Sequence, residues 1–144
     1  MAKNNGRTPE DLAYDIMLEN NGNNFIYAPL VNFVDNNFDV CHEMLSDPNT
    51  IMGLGDGGAH VGFILDAGYP TWLLSYWTRD KKLFSLEDSI RRLTSDTASA
   101  IGLYDRGALK EGLKADINIL DIENLGSSDP YMFCLLYTSP SPRD

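Results

Sequence analysis

The chain has 144 residues, the size of one ordinary domain, and its 43% hydrophobic content suffices to bury a core. A net charge of −10 argues against nucleic acid or an anionic membrane surface as the main partner, because both reward a basic face. There is no apolar run of the roughly 18 residues a membrane span needs, no apolar leader in "MAKNNGRTPEDL", and too few cysteines for a disulfide framework or zinc knuckle, so a cytoplasmic chain with free thiols at Cys41 and Cys134 is expected.

Thr8-Pro9-Glu10-Asp11 reads as a helix start. Thr8 can cap, proline suits the first turn, and the acids favour the positive end of the helix dipole. Leu12, Ile16 and Met17 mark one face, and "ENNGNN" ends the helix. "FIYAPL" is a short extended run limited by Pro29. Asn36 or Asn37 is placed to cap a second helix carrying Phe38, Cys41, Met44 and Leu45, which stops near Asp47-Pro48. His42 is expected on its surface. "TIMGL" follows as a buried strand, and residues 55–62 form a glycine loop.

"YPTWLLSYWTRD" predicts a helix over 69–80 with bulky apolar cover; Trp72, Tyr76 and Trp77 suit either core or pocket wall. Ser85 starts another helix, with Asp88 completing a pattern like a capping box and Leu86, Ile90 and Leu93 facing inward. Ser95 or Asp96 is placed to cap a shorter helix that Gly102 closes. Near residue 104 the pattern turns to β: Ile117, Ile119 and Ile122 come close to alternation among polar residues. The tail "CLLYTSPSPRD", 134–144, breaks with the preceding composition; it resembles a transposase-type sequencing adapter read in frame and is set aside as non-native.

"TIMGLGDGGAH", residues 50–60, carries the sharpest question. Its G-x-G-x-x-G, at Gly53, Gly55 and Gly58, matches a dinucleotide loop only if a helix opens at the third glycine to hold the pyrophosphate. Gly62, Gly68 and Pro70 interrupt such a helix, no Walker lysine is present, and Asp56 would repel a phosphate. Asp80 has the spacing of a ribose-binding acid but follows a Trp/Tyr-rich helical stretch instead of a strand. The alternative is a loop that presents Asp56, with His60 four residues on and flanking glycines that allow a substrate or metal to approach. A simple Asp-Gly turn accounts for the same residues.

The blocks "YAPLVNFVDNNFDVCHEMLSDPNTIMGLGDGGAH", "YPTWLLSYWTRD" and "LEDSIRRLTSDTASAIGLYDRGALKEGLKADINILD", in this order over residues 8–126, resemble the metal-dependent amidohydrolase superfamily. Within it they resemble the N-acyl-D-amino-acid deacylase (D-aminoacylase) branch. The resemblance implies an α/β fold: a partial TIM-like (β/α)8 barrel over 1–101, its last strand–helix units, then part of a small composite β-domain over 102–133. It implies zinc, one or two ions, with Asp56 beside the metal as a possible ligand and as the base that deprotonates the bound water. It implies a small-molecule N-acyl amino acid as substrate, with His60, Gly57 and Gly58 as substrate contacts. The family's other ligands, an early His pair, a bridging Cys, Glu or modified Lys, and two later His, would precede Met1, so the chain alone is expected to be inactive. Related amidohydrolases act on cyclic amides or dipeptides, which stay open as alternatives. So does a non-catalytic acidic binding module, which predicts a genuine start at Met1, and a nucleotide-binding oxidoreductase.

Overall fold

All regular structure is helical among the residues described by a computed structural model, 6–27, 31–53, 55–59 and 64–128. The chain divides into two units, Met1–Leu30 with Ser128–Asp144, and Val31–Ser127. The first contains α1 (Pro9–Gly22). Its start is as predicted: the Thr8 hydroxyl accepts the Asp11 N–H at 3.1 Å, with Pro9, Glu10 and Asp11 in the first turn. Arg7 pairs with Asp15 at 2.6 Å. Leu12 and Ile16 are half-buried and Met17 is exposed. The helix breaks at Asn20 and Asn21, with φ of 50° and 57°, a region that asparagine tolerates better than most residues.

The second unit is organised around one aromatic helix. Its first helix, α2 (Asp39–Ser46), begins after Asn37, whose side-chain oxygen accepts the Asp39 N–H at 2.9 Å. Phe38, Cys41 and Leu45 turn inward, while Met44 is exposed. The Cys41 thiol donates to the Asn32 carbonyl at 3.1 Å and packs against the core, and burial pushes its pKa up. α3 (Tyr69–Trp72) runs on through Leu73–Asp80 with wider i→i+5 hydrogen bonding, closed by the Lys81 N–H on the Tyr76 carbonyl at 2.8 Å. Leu73 and Trp77 are the centre of the core, at 1% and 4% exposure, with Phe84 against them. His42 is not a plain surface residue: its ring stacks on Trp77 at 5.8 Å and meets Phe84 at 5.2 Å.

α4 (Leu86–Arg91) starts as predicted, the Ser85 hydroxyl accepting the Asp88 N–H at 3.1 Å. The chain stays helical through the wide turns of Arg92–Asp96 into α5 (Thr97–Ala100), so the expected new cap at Ser95 or Asp96 is absent. Gly102, at φ +80°, does close the run: its N–H reaches the Ser99 carbonyl at 3.1 Å and the Leu103 N–H reaches Ala98 at 2.8 Å. Of the expected inward residues, Leu93 packs on the core and Ile90 is half-buried, but Leu86 does not turn in. Leu86 is 40% exposed, whereas Ser89 is fully buried and shares a 2.6 Å hydrogen bond with the Thr78 hydroxyl. Two hydroxyls that satisfy each other, with Thr78 also donating to the Leu73 carbonyl, remove the penalty of burying either.

Arg92 ties α4 to α2. Its guanidinium binds Asp88 at 2.6 Å, donates to the Leu45 carbonyl at the end of α2 and lies over the Phe84 ring. Arg91 also binds Asp88. Hydrogen bonds from Arg92 and then Arg91 hold the Asp88 carboxyl below the usual carboxylate range. A depressed folded-state pKa means the stabilisation is present above the unfolded value, about 3.9, and is lost as pH falls through the folded one. We expect wild type to lose stability on acidification below about pH 4 more steeply than Asp88→Asn; urea melts across that range check it.

The predicted partial TIM-like α/β barrel and β-domain segment are corrected by this structure, which has no strand or sheet among the described residues. A strand needs neighbours for its backbone groups and an apolar face to bury. Ile51 is 51% exposed, and Ile117 and Ile119 are 62% and 98% exposed, so each predicted strand leaves apolar positions uncovered, although Met52 packs against the core. Residues 28–30 of "FIYAPL", Leu54, His60, Gly62, Cys134 and the adapter-like tail lie outside the described residues.

Candidate functional site

The glycine loop is built on the segment that leads into α3. The Asp56 N–H donates to the Asp66 carboxylate at 3.1 Å. The Asp56 carbonyl accepts the Ala59 N–H at 2.9 Å, and the Gly58 N–H reaches the Ile64 carbonyl at 2.9 Å. Gly58 has φ +87°, where a side chain would be strained. At Gly57 a Cβ would stand 2.5 Å from the Ala67 Cβ and 2.7 Å from its nitrogen. Glycine at 57 and 58 is therefore required by the backbone itself. Gly57→Ala is expected to push the loop off Ala67 and cost about 1–3 kcal/mol, the usual range for overpacking; the midpoint of urea unfolding measures it.

Asp56 itself is exposed. Its main chain is fixed at both ends while its carboxylate accepts no hydrogen bond among the described residues. That arrangement presents an anionic acceptor to an incoming molecule without a competing partner. His60, expected four residues on, lies outside the described residues, so the structure brings it to no stated place.

Among the described residues no three His, Cys, Asp or Glu side chains come together in a way that could hold a metal. A zinc ion takes about three protein ligands besides its water, so these residues by themselves do not fit one. The dinucleotide reading fares no better. Ala59, directly after the third glycine, is helical and residues 60–63 lie outside the described residues, but the acidic Asp56 stands in the loop where a phosphate would lie. Asp80 is engaged by Arg79 through two hydrogen bonds, at 2.7 and 3.2 Å, and the guanidinium holds its carboxyl below the usual range.

Sequence reading missed two anchoring residues. Asp66, ten positions after Asp56, is the acceptor on which the loop rests. Arg79 donates to the carbonyls of Ile122, Glu123 and Leu125 at 3.0, 3.2 and 2.5 Å, pinning the chain after the isoleucines. Neither leaves a sequence signal beyond a charged residue beside a turn or at the end of an amphipathic stretch. An open groove of about 780 Å³ lies at this junction, lined by Thr78, Arg79, Lys82, Phe84, Ile122 and Glu123, and it does not include Asp56. Trp77 is core, and Trp72 and Tyr76, stacked at 4.2 Å, pack on it. No helix among the described residues is long and apolar enough to cross a membrane.

Comparison with known proteins adds the chemistry that the geometry leaves open. The model of the amidohydrolase family matches residues 17–132, which includes the whole glycine loop, α2 to α5 and the Arg79-anchored segment. No curated protein and no solved structure matches the chain.

Proposed function

We propose, from the premise that this chain belongs to the amidohydrolase family, that it supplies the proton-transfer carboxylate of an enzyme hydrolysing N-acyl-D-amino acids. The observation that supports this most is the family match running through a loop whose backbone is tied down on both sides of an exposed Asp56 whose carboxylate accepts no hydrogen bond among the described residues. Hydrolysis adds water across the C–N bond of the amide, giving a carboxylate and an amino acid. Asp56 accepts the proton of the attacking water and returns it to the departing nitrogen. An exposed carboxylate on a fixed main chain suits both tasks, because it meets the water without losing a partner and keeps its place between the two transfers.

Zinc is the proposed ion, and it would polarise the amide carbonyl when bound. The described residues do not form its ligand set, so most ligands are assigned to other parts of a longer polypeptide, and this chain alone is proposed to be inactive. The test is a comparison of this chain with the product of its contiguous gene. Both are given zinc and an N-acyl-D-amino acid, its L enantiomer, a hydantoin and a dipeptide, and free amine or ring opening is measured. Release from the N-acyl-D-amino acid by the longer polypeptide alone is the expected result. Preference for the hydantoin or dipeptide moves the substrate class. Absence of any hydrolysis leaves an acidic binding module.

A further inference from the structure

We infer that Asp66 is the positioning residue for Asp56: its carboxylate, through the Asp56 N–H, sets where the candidate base stands. This rests on the proposed role of Asp56 but is carried by separate observations. The hydrogen bond from the Asp56 N–H to the Asp66 carboxylate is 3.1 Å and spans ten residues, so it joins the two arms of the loop. The same residue presses on the arm at a second point. A Cβ at Gly55 would lie 3.0 Å from the Asp66 carbonyl oxygen and 3.1 Å from its carboxylate oxygen, so the approach needs glycine there. Ala67 fills the space beside Gly57 in the same way. Glycines on both sides of Asp56 thus lie flat against the 66–67 segment, and the one hydrogen bond between them fixes the register.

The Asp66 segment is in turn anchored. Its carbonyl accepts the Tyr69 N–H at 3.2 Å, the turn that opens α3, and α3 leads within one turn to Leu73 in the core. A single residue therefore uses its main chain to join the core helix and its side chain to hold the catalytic loop. A bond from an amide to a carboxylate is stronger than one to a neutral acceptor, so replacing the Asp66 carboxylate by an amide loosens the loop. Asp66→Asn keeps the size and leaves one oxygen acceptor but removes the charge.

The test needs no activity. In the 15N-labelled full chain, hydrogen exchange of the residue 56 amide is measured at one pH in wild type, Asp66→Asn and Asp66→Ala. The expected result is exchange several-fold faster in Asp66→Ala than in wild type, with Asp66→Asn between them and the Trp77 indole signal unchanged in all three. Equal exchange in wild type and Asp66→Ala overturns the inference. In the hydrolysing polypeptide, Asp66→Asn is expected to lower kcat with little change in KM, and Asp66→Glu to recover less than the wild-type rate. A raised KM with unchanged kcat would also overturn it. If the longer polypeptide hydrolyses nothing, the proposed function fails while the amide exchange still decides the role of Asp66.

Discussion

Asp56→Asn is expected to reduce amide hydrolysis by the full polypeptide about 10²–10⁴-fold in kcat, the range that proton transfer by a positioned side chain contributes. The side chain keeps its shape, but an amide oxygen cannot store a proton between water attack and amine departure. The variant is expected to fold as the wild type does. Every hydrogen bond that Asp56 makes among the described residues uses its main chain, the N–H to Asp66 and the carbonyl to Ala59, and none uses the carboxylate. Loss of turnover with an unchanged unfolding midpoint therefore assigns the effect to chemistry. Turnover within a few-fold of wild type removes Asp56 from the mechanism.

Trp77→Ala is expected to cost about 3–5 kcal/mol and to leave the second unit largely unfolded at 25 °C. Domains of this size have only about 5–15 kcal/mol in hand. Here the buried apolar side chains among the described residues are Leu73, Leu74, Trp77, Phe84 and Ala98, so the largest of them carries much of the total. Trp77 also touches three elements at once. It meets the Phe38 and His42 rings from the α2 region, Trp72 and Tyr76 on its own helix, and Phe84 on the approach to α4. Truncation removes all of those contacts in one step. Circular dichroism and urea titration read the result; a loss under about 1 kcal/mol would show that the core is held by something else.

The helices were legible because their signals are local. Thr8, Ser85 and Gly102 each act within three to five residues of the position they cap, and the aromatic stripe of 69–80 needs only its own periodicity to announce an apolar face. The strands were not, because a strand is a relation between segments. "TIMGL" and "ADINILDI" have the composition of strands, yet Ile51, Ile117 and Ile119 stand exposed with no ladder among the described residues. Of the candidate site, the loop chemistry offered Asp56 and its glycines only beside a plain Asp-Gly turn, and it was the family resemblance that singled them out. Asp66 could not, since its partner lies ten residues away across a turn whose closure depends on the Gly57–Ala67 contact. The inward choice of Ser89 over Leu86 was hidden for a similar reason: the hydroxyl becomes acceptable inside only because Thr78 is there to meet it.

The widened winding after Trp72 has an optical consequence. In an ordinary α-helix, residues five apart point about 140° away from each other. Here Trp72 lies 4.2 Å from Tyr76 and also 5.5 Å from Trp77, ring centroid to centroid, so both later rings share its side of the axis. Two indoles this close, held at an 89° interplanar angle, couple their transitions. The near-ultraviolet dichroism of this chain should carry a paired indole signature that Trp72→Phe abolishes, and its fading during a melt would mark the moment that helix rewinds or frays.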